Sequence, residues 1–224
     1  MRNREIVLKR LTLAGFAGIG LGLAAMVVLH ATSGLNPAHA VISAHLYTPH
    51  GWLLPVSLCL FAGGACAFAA LARSVAAPRW MAPLLAAWAG LLLLVAAFPS
   101  DPPTAGPYSA VHFVHRYAAF AAFCVMAALA IAFGRWARGA CRCARIVSAC
   151  GWVALGSLAV TALPYALAWF DLASPWWAAA GGLNQRMTVG SELLALAVLG
   201  SWLRRGGDPV PEPPAVREPV PVPA

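Results

Sequence analysis

Residues 1–29 read MRNREIVLKRLTLAGFAGIGLGLAAMVVL. Arg2, Arg4, Lys9 and Arg10 stand ahead of an unbroken apolar run from Leu11 to Leu29. About 20 such residues cross the ~30 Å hydrocarbon layer of a bilayer as a helix, and basic residues ahead of a first span hold its N-terminus in the cytoplasm. A cleaved leader would begin the same way, and Ala38-His39-Ala40 resembles a cleavage site. The apolar run, however, is longer than the roughly 7 to 15 residues of a leader core, and that site lies about ten residues past its end, so a retained helix is expected. Ala14, Gly18 and Gly22 give this helix a stripe of small residues suited to close packing inside a bundle.

Composition extends the same reading to the whole chain. Of 224 residues 61% are apolar and 10% charged, against about a quarter charged in an ordinary soluble domain. Six apolar stretches are long enough to span, and segments of alternating polarity that would suggest a β-barrel are lacking. The net charge of +8 would suggest nucleic acid in a soluble protein. Here the basic residues sit in short segments between apolar runs, where they set topology, so the lipid bilayer is the expected partner and nucleic acid is not. The six cysteines suggest no disulfide framework, and Cys141-x-Cys143 falls in a loop placed in the reducing cytosol.

Taken in order, helices are expected at about Leu11–Leu29, Trp52–Ala72, Trp80–Phe98, Ala110–Phe133, Ile146–Phe170 and Met187–Leu203. Residues 31–51 form an outer loop with a turn at Asn36-Pro37. Pro99, Pro102 and Pro103 stop the third helix, and Pro164 should bend the fifth. A third outer loop holds Asp171, Trp176, Trp177 and Gly181-Gly182. The domain division is a basic N-terminus (1–10), a transmembrane domain (11–205) and a proline-rich, disordered cytoplasmic tail (206–224). Thirteen of the fifteen lysines and arginines fall on one side of this arrangement, and only Arg116 and Arg186 fall on the other. The expectation is thus an all-α, polytopic bundle of six helices in a bacterial plasma membrane, with both termini cytoplasmic. All six histidines lie at or beyond the outer ends of helices. The tryptophans border the interfaces as an aromatic belt does, except for Trp88, which is central.

Hydropathy does not explain the stretch FPSDPPTAGPYSAVHFVHRY at 98–117. Charge at bilayer depth is disfavoured by at least about 2.5 kcal/mol unless partnered, so its polar residues need a reason. His112, His115 and Arg116 are spaced to share a helix face. Two imidazoles there could hold a divalent metal, with Asp101 as a further ligand or as the acceptor that fixes a tautomer. The plainer alternative pairs Asp101 with Arg116 and leaves the histidines to loop backbone. Glu192, about 9 Å along the last helix from Arg186, is the most deeply placed acid. It either relays protons or binds a cationic ligand, or it pairs with Arg186, Arg116 or a histidine to hold helices together. Ser43 ahead of His45 forms a weak nucleophile-and-base pattern, since no acid orients the imidazole.

Several ordered features resemble a known family. They are an outer loop that contains Ser43 and closes on Gly51-Trp52-Leu53, FPSDPP at the end of helix three, VHFVHRYAAF opening helix four, and GGLNQR before helix six. Together they resemble the membrane family known as domain of unknown function 998, over about residues 10–205. The resemblance implies a six-helix integral membrane protein and puts Ser43, Asp101, His112, His115, Arg116 and Arg186 on the family's polar positions; no established activity comes with it. The histidine-rich segment between Asn36 and Trp52 departs from the pattern, so His39 and His50 gain nothing from it. Three classes of function remain: a small-solute or ion carrier or accessory permease, a membrane-embedded metal-dependent hydrolase, and a structural or sensory membrane protein without catalysis. A haem protein fits less well, because it needs histidines from two helices at matching depth.

Overall fold

The computed structural model describes residues 2–102, 104, 106–139, 141–168, 170, 172 and 181–207. Asp171, Trp176, Trp177 and the tail from residue 208 lie outside the described residues. Among the described residues the chain is all-helical, without a strand. The α-helices are α1 (Arg2–Thr32), α2 (Leu53–Ser74), α3 (Met81–Ala97), α4 (Ala110–Trp136), α5 (Arg142–Ala168) and α6 (Gly181–Arg204), with a 3-10 helix at Ile42–Tyr47. The described residues therefore hold seven helical segments where six were expected. The extra one forms because Ala44 N–H donates to Val41 O at 3.0 Å and Thr48 N–H to His45 O at 3.1 Å, closing short turns in a segment too brief to register as a helix.

Four helices, α1, α2, α4 and α5, are long and apolar enough to cross a membrane. The α3 helix is apolar but has 17 residues, about 25 Å at 1.5 Å each. The α6 helix begins at Gly181, earlier than Met187, because hydropathy sees only its apolar half and misses the turns that carry Asn184, Gln185 and Arg186. Together these make the chain a multi-pass membrane protein.

Each helix packs on its neighbour in sequence, and α6 closes the bundle by touching α1, α2 and α4 as well as α5. Lipid is as apolar as leucine, so little hydrophobic force drives helices together in a bilayer, and close approach of small residues has to supply the contact. Gly15, Gly18 and Gly22 are buried and Ala14 is exposed, so the small stripe of α1 is shifted from the expected one. A Cβ on Gly18 would lie 2.6 Å from Leu60 O, and Gly15 and Gly22 receive the rings of Phe68 and Phe61 from α2. Gly64 returns the contact, with Gly15 O 2.9 Å from where its Cβ would be.

The central core gathers Phe68, Leu85, Trp88, Met126, Leu196 and Leu199. At its arginine-rich end Phe133 and Trp136 of α4 meet Trp202 of α6 edge to face, at 5.0 and 5.8 Å between ring centroids. Arg4 also donates to Ser74 O at 2.8 Å there, tying the N-terminus to the end of α2. Cys141 and Cys143, read as free thiols, are joined by a disulfide, while Cys59, Cys66, Cys124 and Cys150 are free. Leu13, Leu21 and Val27 on α1 and Trp152 and Val153 on α5 are exposed, as expected of side chains that meet acyl chains.

Candidate functional site: a pocket around Glu192

At the histidine-rich end α4 starts on a built cap. Ser109 is the N-cap, and its Oγ accepts from His112 N–H at 3.2 Å. Ser109 in turn donates its own N–H and Oγ–H to the two carboxylate oxygens of Asp101, at 2.6 and 2.9 Å. The backbone N–H of Ser109 is the main reason the Asp101 carboxyl sits below the usual range, with the Ser109 hydroxyl and His112 adding to it. His112 Nδ1 accepts from Asp101 N–H at 3.1 Å, and its ring stacks on Tyr108 at 4.2 Å. Asp101, the acid of the FPSDPP stretch, is therefore spent on starting a helix. Tyr47 O–H donates to Ser100 O beside it, which ties the 3-10 helix to the same corner.

His115 points the other way. It is buried, and its Nδ1–H donates to Phe98 O at 2.8 Å and Val95 O at 3.2 Å. These are carbonyls that the end of α3 leaves without helical donors. Arg116 is exposed, so the three residues at helical spacing do not share one site. Among the described residues no group of three histidines, cysteines or acids stands together as a metal would need. The set His112, His115 and Asp101 is split by these backbone commitments.

The loop between α1 and α2 is docked onto the start of α6 by the residues of GGLNQR. Gly182 has no room for a Cβ, which would lie 2.6 Å from both Ala40 O and Pro37 O. Leu183 N–H donates to Ala38 O at 3.0 Å. Gln185 Oε1 accepts from Ile42 N–H at 2.6 Å. Arg186 Nη1 donates to Ala40 O at 2.7 Å and Gly182 O at 2.9 Å, while Nη2 stands 3.4 Å from His45 Nε2. His45 is fully buried, with Nδ1 3.3 Å from Val41 O, so its Nδ1 carries the proton and Nε2 accepts from the guanidinium. Burial, then His30 and Arg186 nearby, pull the His45 imidazole below its ordinary value. His30 of α1 lies against it at 4.4 Å between ring centroids.

Beneath this docked loop is a pocket of about 70 Å³, room for several water molecules. Its polar lining is Ser43, Trp88, His115, Gln185 and Glu192; Phe61, Leu92 and Phe123 are among its apolar walls. Glu192 is 3% exposed, and its Oε1 has no hydrogen-bond partner among the described residues. The Trp88 indole lies beside the carboxyl, yet its Nε1–H also closes no hydrogen bond of ordinary geometry. Arg186 donates to the loop, so of the partners considered for Glu192 it is not the one that is used. Of the candidates read from sequence, the pocket brings together Ser43, His115 and Glu192. It leaves Asp101 and His112 in the cap of α4, Arg186 in the loop anchor and Arg116 outside the lining. Sequence reasoning passed over Gln185 and Trp88. The signal for Trp88 was its central depth, which set it apart from every other tryptophan.

A multi-pass helical bundle with a largely apolar pocket that encloses a buried carboxyl is the class that fold and site define. The chain matches, over residues 16–202, the family described as protein of unknown function DUF998. It belongs to that family. No curated protein and no solved structure matches the chain.

Proposed function

We propose that this protein is a carrier, or the accessory subunit of a permease, that takes a small solute into the pocket around Glu192. In this reading all six α-helices span a bacterial plasma membrane, the termini and the arginine-rich loop after α4 are cytoplasmic, and the pocket opens outward. The arginine distribution supports that orientation, and the exposed Trp52, Tyr108 and Tyr117 at the histidine-rich end supply its aromatic border. The observation that carries the proposal is Glu192, a buried carboxyl lining a cavity with an oxygen that no described residue partners. An intramembrane acid is costly and is kept where it serves a path or a ligand. A metal-dependent hydrolase gains nothing from the split of His112, His115 and Asp101.

The test is flux in proteoliposomes against a panel of small amines, carboxylic acids and neutral alcohols. One class is expected to cross faster than in protein-free vesicles and to lose that advantage in Glu192→Gln protein of unchanged helicity. Flux equal to empty vesicles for every class would overturn the carrier.

A further inference from the structure

The pocket has the chemistry of a receptor for one kind of molecule, and we propose that it binds a small organic monocation, a protonated amine on an aromatic or aliphatic body of about one ring. This rests on the pocket reading above but not on transport. Glu192 meets no lysine or arginine among the described residues. The titratable groups that face it are His115 and Cys124, both from α4. From α3 comes the Trp88 indole, from α2 apolar Phe61 and Leu58, from α1 Met26 and from the 3-10 helix Ser43; α5 brings it no titratable group among the described residues. A carboxyl so enclosed keeps its proton while it has no counter-charge, and a ligand that brings one is the component that would let it ionise.

The walls choose what carries that charge. A bare calcium or magnesium ion needs six or more oxygen ligands. This lining offers the side-chain oxygens of Ser43, Gln185 and Glu192, and Gln185 Oε1 is already taken by Ile42 N–H. Phe61, Trp88 and Phe123 instead give aromatic surface, which favours an ammonium through the ring quadrupole and accepts an apolar body. An organic anion would meet the Glu192 carboxyl with no cation in the lining to offset it. A neutral solute could hydrogen-bond to the Glu192 carboxyl but would bring it no counter-charge.

The experiment is calorimetric titration of the full-length protein in detergent with benzylammonium and with benzyl alcohol, its uncharged counterpart. Benzylammonium is expected to bind saturably, at least about tenfold more tightly than benzyl alcohol, since a charge-assisted bond is at stake. Glu192→Gln should remove that margin and leave benzyl alcohol unchanged. Ala119→Phe, which fills the pocket from α4, should weaken both. Equal affinity for the two probes, a margin that survives Glu192→Gln, binding indifferent to Ala119→Phe, or no saturable benzylammonium binding below about 10 mM would each overturn the inference. Benzylammonium that binds but is not carried retires the carrier and leaves this inference standing. Flux of an acid or alcohol that is lost in Glu192→Gln, with no benzylammonium binding, does the reverse.

Discussion

His45 shows how one side chain couples the outer loop to acidity. Its imidazole is held neutral because it is buried and because His30 and Arg186 stand against it. The folded value is lowered, so between it and the ordinary 6.5 the unfolded chain takes up a proton that the folded chain refuses. Stability is therefore full above pH 6.5 and falls as pH drops below it. Thermal unfolding in detergent, followed by circular dichroism, should show the melting temperature falling from pH 7.5 to about 5.5, and His45→Gln should flatten that slope. Gly182 belongs to the same anchor. Gly182→Val pushes a side chain into Ala40 O and Pro37 O, so it should cost about 1–3 kcal/mol and expose the 36–48 segment to limited proteolysis. Glycine and glutamine in GGLNQR were visible as a motif, but their work is done on backbone groups of residues 37–42, and no spacing along the chain reveals a partner so far away in sequence.

At the scale of elements, the two devices that set helix position are the small-residue seam of α1 on α2 and the cap of α4. Gly64→Val places a branched side chain against Gly15 O and should separate the pair at a cost of about 1–3 kcal/mol. A cysteine pair across the seam should then crosslink in the parent background and fail to do so in the variant. Ser109→Ala removes the acceptor for His112 N–H and should lower stability by about 1 kcal/mol in chemical denaturation, while Ser109→Thr, which keeps the hydroxyl, should hold it. The existence of the six long helices was legible because a long apolar run has few other outcomes. Their polar ends were not. Asp101 looked like a ligand because an acid among histidines resembles one, yet acids also start helices, and only the positions of Ser109 and the α4 amides separate the two. The 3-10 helix at Ile42–Tyr47 escaped because its apolar residues are too few to make a period.

At the scale of the molecule, the arginines give the orientation its check. Alkaline phosphatase and fluorescent-protein fusions after residue 140 and at the C-terminus should report cytoplasm, and a fusion in 36–48 should report the far side; a fluorescent fusion that stays dark after residue 140 would invert the map. The docked loop then bears on timing. Ile42 and Ser43 form part of the pocket wall, and the segment that bears them is pinned by Gln185, Arg186, Leu183 and Tyr47. A guest that leaves past this segment must lift it. Residence time should therefore be governed by how often the pins let go together, and a guest held weakly at equilibrium could still be slow to depart.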